Sequence, residues 1–322
     1  MRNYILLLFC CGWSALAFAQ QPAQYSLYQF NRFAFNPAYA GMDNSLSVTG
    51  VFRKQWVDLA GSPTSQHLNV HAPLPFLSSG FGLSFQNDEL GPTQYQSFQL
   101  AYNYRLPIGR AGTLSIGASG VWRQSGLDGS VIRTPDGNYT DNNFPVHNDD
   151  LLPTDLVSSS AIDATAGIYY QSKVFEVGFS AINLLNQPIE FATLSVQPER
   201  AYFFVAGANF DIGRTWSLHP TVLVKSDVIQ TQTDISVLLR YDDNISVGGS
   251  FRGYDSNSID AAAILGGVRI NEKIRLYYSY DVPLSALNTV HSGSHEILLN
   301  YNLNKDFGKG VPPPVIYSPR NL

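Results

Sequence analysis

The residues that could do chemistry fall into four groups. His291, Ser292, His295 and Glu296 lie within six positions and are the residue types of a hydrolytic site. A serine triad, however, is defined by geometry, and no G-x-S-x-G elbow accompanies them. His67 and His71 stand four apart, so on a strand they share a face, but metal ligation needs further ligands at about 2 Å. A polar lining is the favoured reading. Asp136, Asp141, Asp149 and Asp150 sit among asparagines and offer the oxygen ligands that Ca²⁺ takes. Their spacing fits no loop motif, which favours a solvated loop. No phosphate-binding glycine loop and no Cys/His zinc pattern occurs. No catalytic residue, metal or cofactor is therefore expected. The fourth group is Glu176, Lys225, Asp234, Arg240, Arg252 and Arg275, charges placed in the middle of alternating segments.

Such charges are tolerated in mid-strand only where that face meets water or a charged partner. The alternation itself is explicit. Phe98, Leu100, Tyr102, Tyr104 and Leu106 interleave with Gln99, Ala101, Asn103 and Arg105. Leu276, Tyr278, Tyr280 and Val282 interleave with Arg275, Tyr277, Ser279 and Asp281. Ile235 to Tyr241 and Ile297 to Leu303 repeat the pattern. Successive strand side chains point to opposite faces, so each segment has one apolar and one polar face. The segments run about 9 to 14 residues, longer than globular strands and long enough to cross a bilayer at a tilt.

About fourteen strands are expected: 45–55, 64–73, 80–88, 93–107, 111–123, 161–171, 173–183, 200–212, 215–225, 231–241, 244–253, 258–270, 273–282 and 294–304. Tight turns such as Ser172-Lys173, Gly213-Arg214 and Asp242-Asp243-Asn244 alternate with longer connections at 56–63, 124–160, 184–199, 253–257 and 283–293. Short periplasmic turns and longer extracellular loops are the habit of outer-membrane barrels. The fold class expected is all-β, a transmembrane antiparallel β-barrel. The six charges would then line its lumen, as an ion filter or, preferably, a salt-bridge lattice filling the interior.

Composition agrees. Charged residues are 14% and aromatics 13% of the 322 residues, against about 25% charged in a soluble domain. Mean hydropathy is only -0.06. Arg2, an apolar run from Ile5 to Cys11, and Ala17-Phe18-Ala19 form a secretory signal cleaved after Ala19. Its apolar run is too short to span a bilayer. Both cysteines, Cys10 and Cys11, leave with it, so disulfides hold no part of the mature fold. Loss of Arg2 takes the net charge of -5 to about -6, with no basic patch for nucleic acid.

The domain plan is a signal peptide over 1–19, a periplasmic leader or plug over 20–44, the barrel over 45–304 and a periplasmic tail over 305–322. The leader's Asn36-Pro37 break argues against a regular strand. The tail carries Pro312-Pro313-Pro314, an extended stiff segment. The N-terminus, the short turns and the tail are all expected on the periplasmic side.

Several blocks carry a resemblance. Gln24-Tyr25-Ser26-Leu27-Tyr28 leads into Asn36-Pro37-Ala38-Tyr39-Ala40-Gly41, and then Arg53-Lys54-Gln55-Trp56. Gly61-Ser62-Pro63-Thr64 and Asn87-Asp88-Glu89-Leu90-Gly91 follow, then Pro220 with Lys225, and Gln232-Thr233-Asp234-Ile235. Tyr278-Ser279-Tyr280-Asp281, His295-Glu296-Ile297 and Ser318-Pro319-Arg320 close the series. In this order they resemble the PorP/SprF family of Bacteroidetes outer-membrane proteins; Asn321 before Leu322 departs from the aromatic expected there. The resemblance implies a non-enzymatic role in type IX secretion and, in some members, gliding motility. The partners it implies are the secretion machinery and an adhesin-like secreted surface protein, held through its C-terminal sorting domain. Loop 124–160 is the preferred contact for that protein, and the leader and tail would meet the machinery. Sec-dependent export would deliver the chain to the outer-membrane bilayer. The alternative is a transport channel for an apolar or small solute.

Overall fold

In the computed structural model the described residues are 24–109, 112–140, 146–191, 194–227, 229–254, 258–284 and 289–305. The expected signal peptide with Ala19, and the expected tail from 306 onward, lie outside them. Fourteen antiparallel strands close into a barrel. They are β1 (Ser47–Lys54), β2 (Thr64–Leu74), β3 (Ser79–Leu90), β4 (Thr93–Ile108), β5 (Gly112–Asp128), β6 (Leu156–Gln171) and β7 (Phe175–Ile182). After these come β8 (Ala201–Ala208, continued by Phe210–Ile212), β9 (Trp216–Ser226), β10 (Thr231–Tyr241), β11 (Ile245–Tyr254), β12 (Ser258–Arg269), β13 (Ile274–Pro283) and β14 (Ser294–Asn302). Each pairs with its sequence neighbours, and β1 pairs with β14 from Ser47↔Asn302 to Lys54↔His295 to close the wall.

The burial pattern separates a membrane barrel from a soluble sandwich. Leu68 is 51% exposed, Ile162 61% and Ile264 63%, whereas Arg53, Arg123, Asp163 and Glu296 are at most 2% exposed. A water-soluble sheet would bury the first set and solvate the second; a lipid-facing wall around a polar interior does the reverse. Among the described residues no helix is long and apolar enough to cross a membrane.

The connections sort onto two rims. On one, 75–78, 109–111, 172–174, 213–215, 242–244 and 270–273 are all short. The other carries 55–63, 129–155, 183–200 and 284–293, along with the tight turns 91–92 and 227–230. The longest insertion is shorter than expected, because β5 and β6 extend their pairing to Asp128↔Leu156. The 184–199 connection holds a small hairpin, Ile189–Phe191 with Leu194–Val196, whose Ile189 and Phe191 pack on Ala161 from inside the wall.

Candidate functional site

The leader fills the lumen. Residues 24–44 cross it in three 3₁₀ turns, Tyr28–Phe30, Arg32–Ala34 and Pro37–Tyr39. Leu27, Tyr28, Phe33, Ala38 and Ala40 are at most 1% exposed. Of the two readings of this segment, a plug and a periplasmic strip, its position is inside the barrel. Its direction also departs from expectation. Gln24 lies beside Gln55 and Arg252, at the long-loop ends of β1 and β11. Gly41 reaches His71 near the short-turn end of β2. The first described residues thus emerge at the long-loop rim, not beside the short turns.

At that upper end the plug is held by charge. Arg53 lies 2.7 Å from Asp281 and 3.0 Å from Glu296. Arg252 lies 2.6 Å from Asp234 and 3.3 Å from Asp281. Ser26 sits at the centre. Its backbone N–H donates to Glu296 Oε2 at 2.7 Å and its hydroxyl to Asp281 at 2.7 Å, while Arg53 and Arg252 both donate to its Oγ. Strand alternation puts all four strand partners on the inward face, so blocks spread from Ser26 to Glu296 meet at one point.

Lower down, Phe30 stacks on Tyr277 at 3.6 Å and Arg32 grips Glu176, its Nε at 2.8 Å. Glu176 also accepts from the Tyr169 hydroxyl. The block Asn36–Gly41 then wedges against β3 to β6. Asn36 caps its own turn by accepting from Ala38 N–H, and donates to the carbonyls of Ile168 and Phe179. Asn103 donates to the carbonyls of Ala38 and Ala40. Glycines make the room. A Cβ on Gly80 would stand 2.0 Å from the Ala40 carbonyl oxygen, and one on Gly82 2.3 Å from the Phe33 ring. Tyr39 is buried here, its hydroxyl on Asp43.

All six charged candidates face inward, but not as one site. Asp234 and Arg252 join the upper network, Glu176 holds Arg32, and Lys225 is buried on β9. Arg240 and Arg275 line a lower cavity. Of the motif residues, Asn36, Pro37, Ala38, Tyr39 and Gly41 form the plug wedge, Arg53 anchors it, and the Gln55 amide reaches Gln24. Trp56 stands at the rim, its backbone N–H donating to the Ser294 hydroxyl. Asn87, Asp88 and Gly91 lie apart at that rim, where Gly91 N–H ties to Gly61. Ser26, Arg32, Arg123, Asp163 and Asp281 are not among the charged or site candidates of the sequence, and Glu296 is singled out there only for a hydrolytic group. The same signal, a polar residue on the inward face of an alternating strand, identifies Arg123, Asp163, Asp281 and Glu296.

The other groups do no visible chemistry. His295 faces outward against Tyr278 and Glu296 inward, so the two cannot share a catalytic geometry with Ser292. His67 contacts Asn31 and Ser84, and His71 accepts from Gly41 N–H. No group of three metal-binding residues occurs among the described residues, and Asp141 lies outside them.

Solved structures share the architecture. A monoaromatic hydrocarbon channel, CymD, aligns at a TM-score of 0.50 with 10% identity, covering 85% of this chain and 92% of that one. The toluene transporter TbuX of Ralstonia pickettii gives 0.49 and 10%, covering 83% and 91%. Omp33 of Acinetobacter baumannii gives 0.46 and 9%, covering 80% and 97%. At such identity the likeness is one of fold alone. No curated protein matches. The family described as type IX secretion system membrane protein PorP/SprF matches residues 17–301, a span holding the plug and every strand but for the last residue of β14. The chain belongs to the PorP/SprF family of outer-membrane proteins.

Proposed function

We propose that this barrel supports secretion and surface attachment of one partner protein, held through that partner's C-terminal sorting domain, and works as a plugged platform rather than an open pore. One observation carries this reading beyond family membership: the lumen is occupied by the chain's own leader, fixed by buried ion pairs at one end and a glycine-walled wedge at the other. A barrel closed in this way offers its rims to other molecules. With short turns facing the periplasm, as is usual, the loops 55–63, 129–155, 183–200 and 284–293 and the head of the leader form the surface for the secreted partner. The short-turn rim faces the secretion machinery.

Affinity purification of the tagged protein from outer membranes, with mass spectrometry, tests this. A surface protein bearing a C-terminal sorting domain should co-purify, and its display should be lost when the barrel is deleted. Recovery of no such protein, together with solute flux through the reconstituted wild-type barrel, would favour the transport channel instead.

A further inference from the structure

Below the Arg32 turn, toward the short-turn rim, the leader and the wall enclose a cavity of about 360 Å³. Its lining is polar, and its charges do not match one another. Arg269 and Arg275 share a single carboxylate, Asp243, at 3.3 and 2.7 Å. Arg32 is taken by Glu176. Asp43 accepts the Tyr39 hydroxyl and stands 3.7 Å from His71. Arg240 has no carboxylate and no hydrogen bond among the described residues. The ionisable groups that act on it electrostatically include Tyr277, Arg32, Asp243, Arg275 and His219, and it is half-buried on the inward face of β10.

Elsewhere in the same lumen Arg105 donates to the Gly41 carbonyl and the Asn44 side chain, and three further guanidinium groups meet carboxylates. Arg53, Arg123 and Arg252 each lie within 3.0 Å of a carboxylate. A half-buried cation with two others near it is unfavourable unless an anion meets it. A guanidinium presents a planar fork that fits carboxylate and phosphate oxygens. The cavity volume also falls in the range of small-molecule sites, about 300–1,000 Å³.

We infer that this cavity is a binding site for an anionic group, a carboxylate or a phosphate, admitted from the short-turn rim and held by Arg240 with Arg275 beside it. Its size accepts a small anion or the end of an extended peptide and excludes a folded domain. The site stands whether or not the barrel serves secretion.

The test uses the full-length protein purified in detergent, titrated calorimetrically with inorganic phosphate, with acetate, and with a short peptide bearing a free or an amidated C-terminus. Saturable binding of phosphate, or of acetate and the free-carboxylate peptide, is expected, with no binding of the amidated one; whichever arm binds identifies the source. Arg240→Gln should weaken binding about tenfold or more, as loss of a charge-assisted contact does, while Arg133→Gln on the opposite rim leaves it unchanged. Without ligand, Arg240→Gln should unfold at the same or a higher temperature, because it removes an unmatched cation; a merely structural arginine would lower it. Absence of saturable binding by every anionic probe up to about 10 mM, or binding unaffected by Arg240→Gln, would overturn the assignment.

Discussion

Arg53 shows how strongly single residues hold the plug. It is 2% exposed and touches Asp281, Glu296 and the Ser26 hydroxyl. Arg53→Ala leaves Glu296 without its cation, while Asp281 keeps Arg252 at 3.3 Å. Breaking a buried pair by removing one member costs about 3–5 kcal/mol, so the midpoint of unfolding, followed by heat-dependent gel mobility, should fall clearly. Adding Glu296→Gln should restore part of the loss, because the stranded charge is then gone; additive losses would show that the two do not act on each other. A second pair probes shape instead of charge. Gly82→Val drives a side chain into Phe33, and overpacking of this kind costs about 1–3 kcal/mol. Phe33→Ala in the same chain should recover much of it, and protease protection of the leader reports both.

At the scale of elements, the leader is a removable part. Deleting residues 24–44 should turn a nearly closed barrel into a conducting one, read as single-channel current in planar bilayers. Wild-type protein conducting as strongly as the deletion would mean that the segment does not seal the lumen. The strands were legible in sequence because lipid on one side and polar lumen on the other force a period of two, as in Phe98 to Leu106. For the leader, sequence leaves a plug and a periplasmic strip both open. Leu27, Phe33 and Met42 follow no period, because they pack against a wall assembled from distant strands. Nor do three-residue strands such as Ile189–Phe191 give a pattern long enough to see. The break at Asn209 within β8 also has no counterpart in the alternation. Among the charges, Asp281 and Glu296 are visible in sequence but not as plug anchors, since sequence shows which face a residue takes but not which residue meets it there.

For the whole molecule, the two rims make a prediction about sidedness. The two cysteines of the sequence are Cys10 and Cys11, within the expected signal peptide, so with both absent single introduced cysteines report position cleanly. Leu59→Cys on the long-loop rim, and an epitope placed just before Gln24, should both be reached by impermeant reagents on intact cells. Asp242→Cys on a short turn should react only after the outer membrane is permeabilised. The reverse pattern would invert the barrel and place the Arg240 cavity toward the exterior.

The position of the leader also constrains how the molecule is built. Ser26 bonds to residues 255 and 270 positions away, and the wall closes only when β1 meets β14. The segment that leaves the export channel first must therefore wait for the last strand before it finds its partners, at a high cost in loop closure. Zipping that seam and seating the leader then become a single late event, and a nascent barrel remains open, with Arg53 unmatched, until its final hairpin arrives. Assembly factors would meet the chain in that unsealed state, and its completion is marked by the disappearance of an accessible N-terminal thread from the lumen.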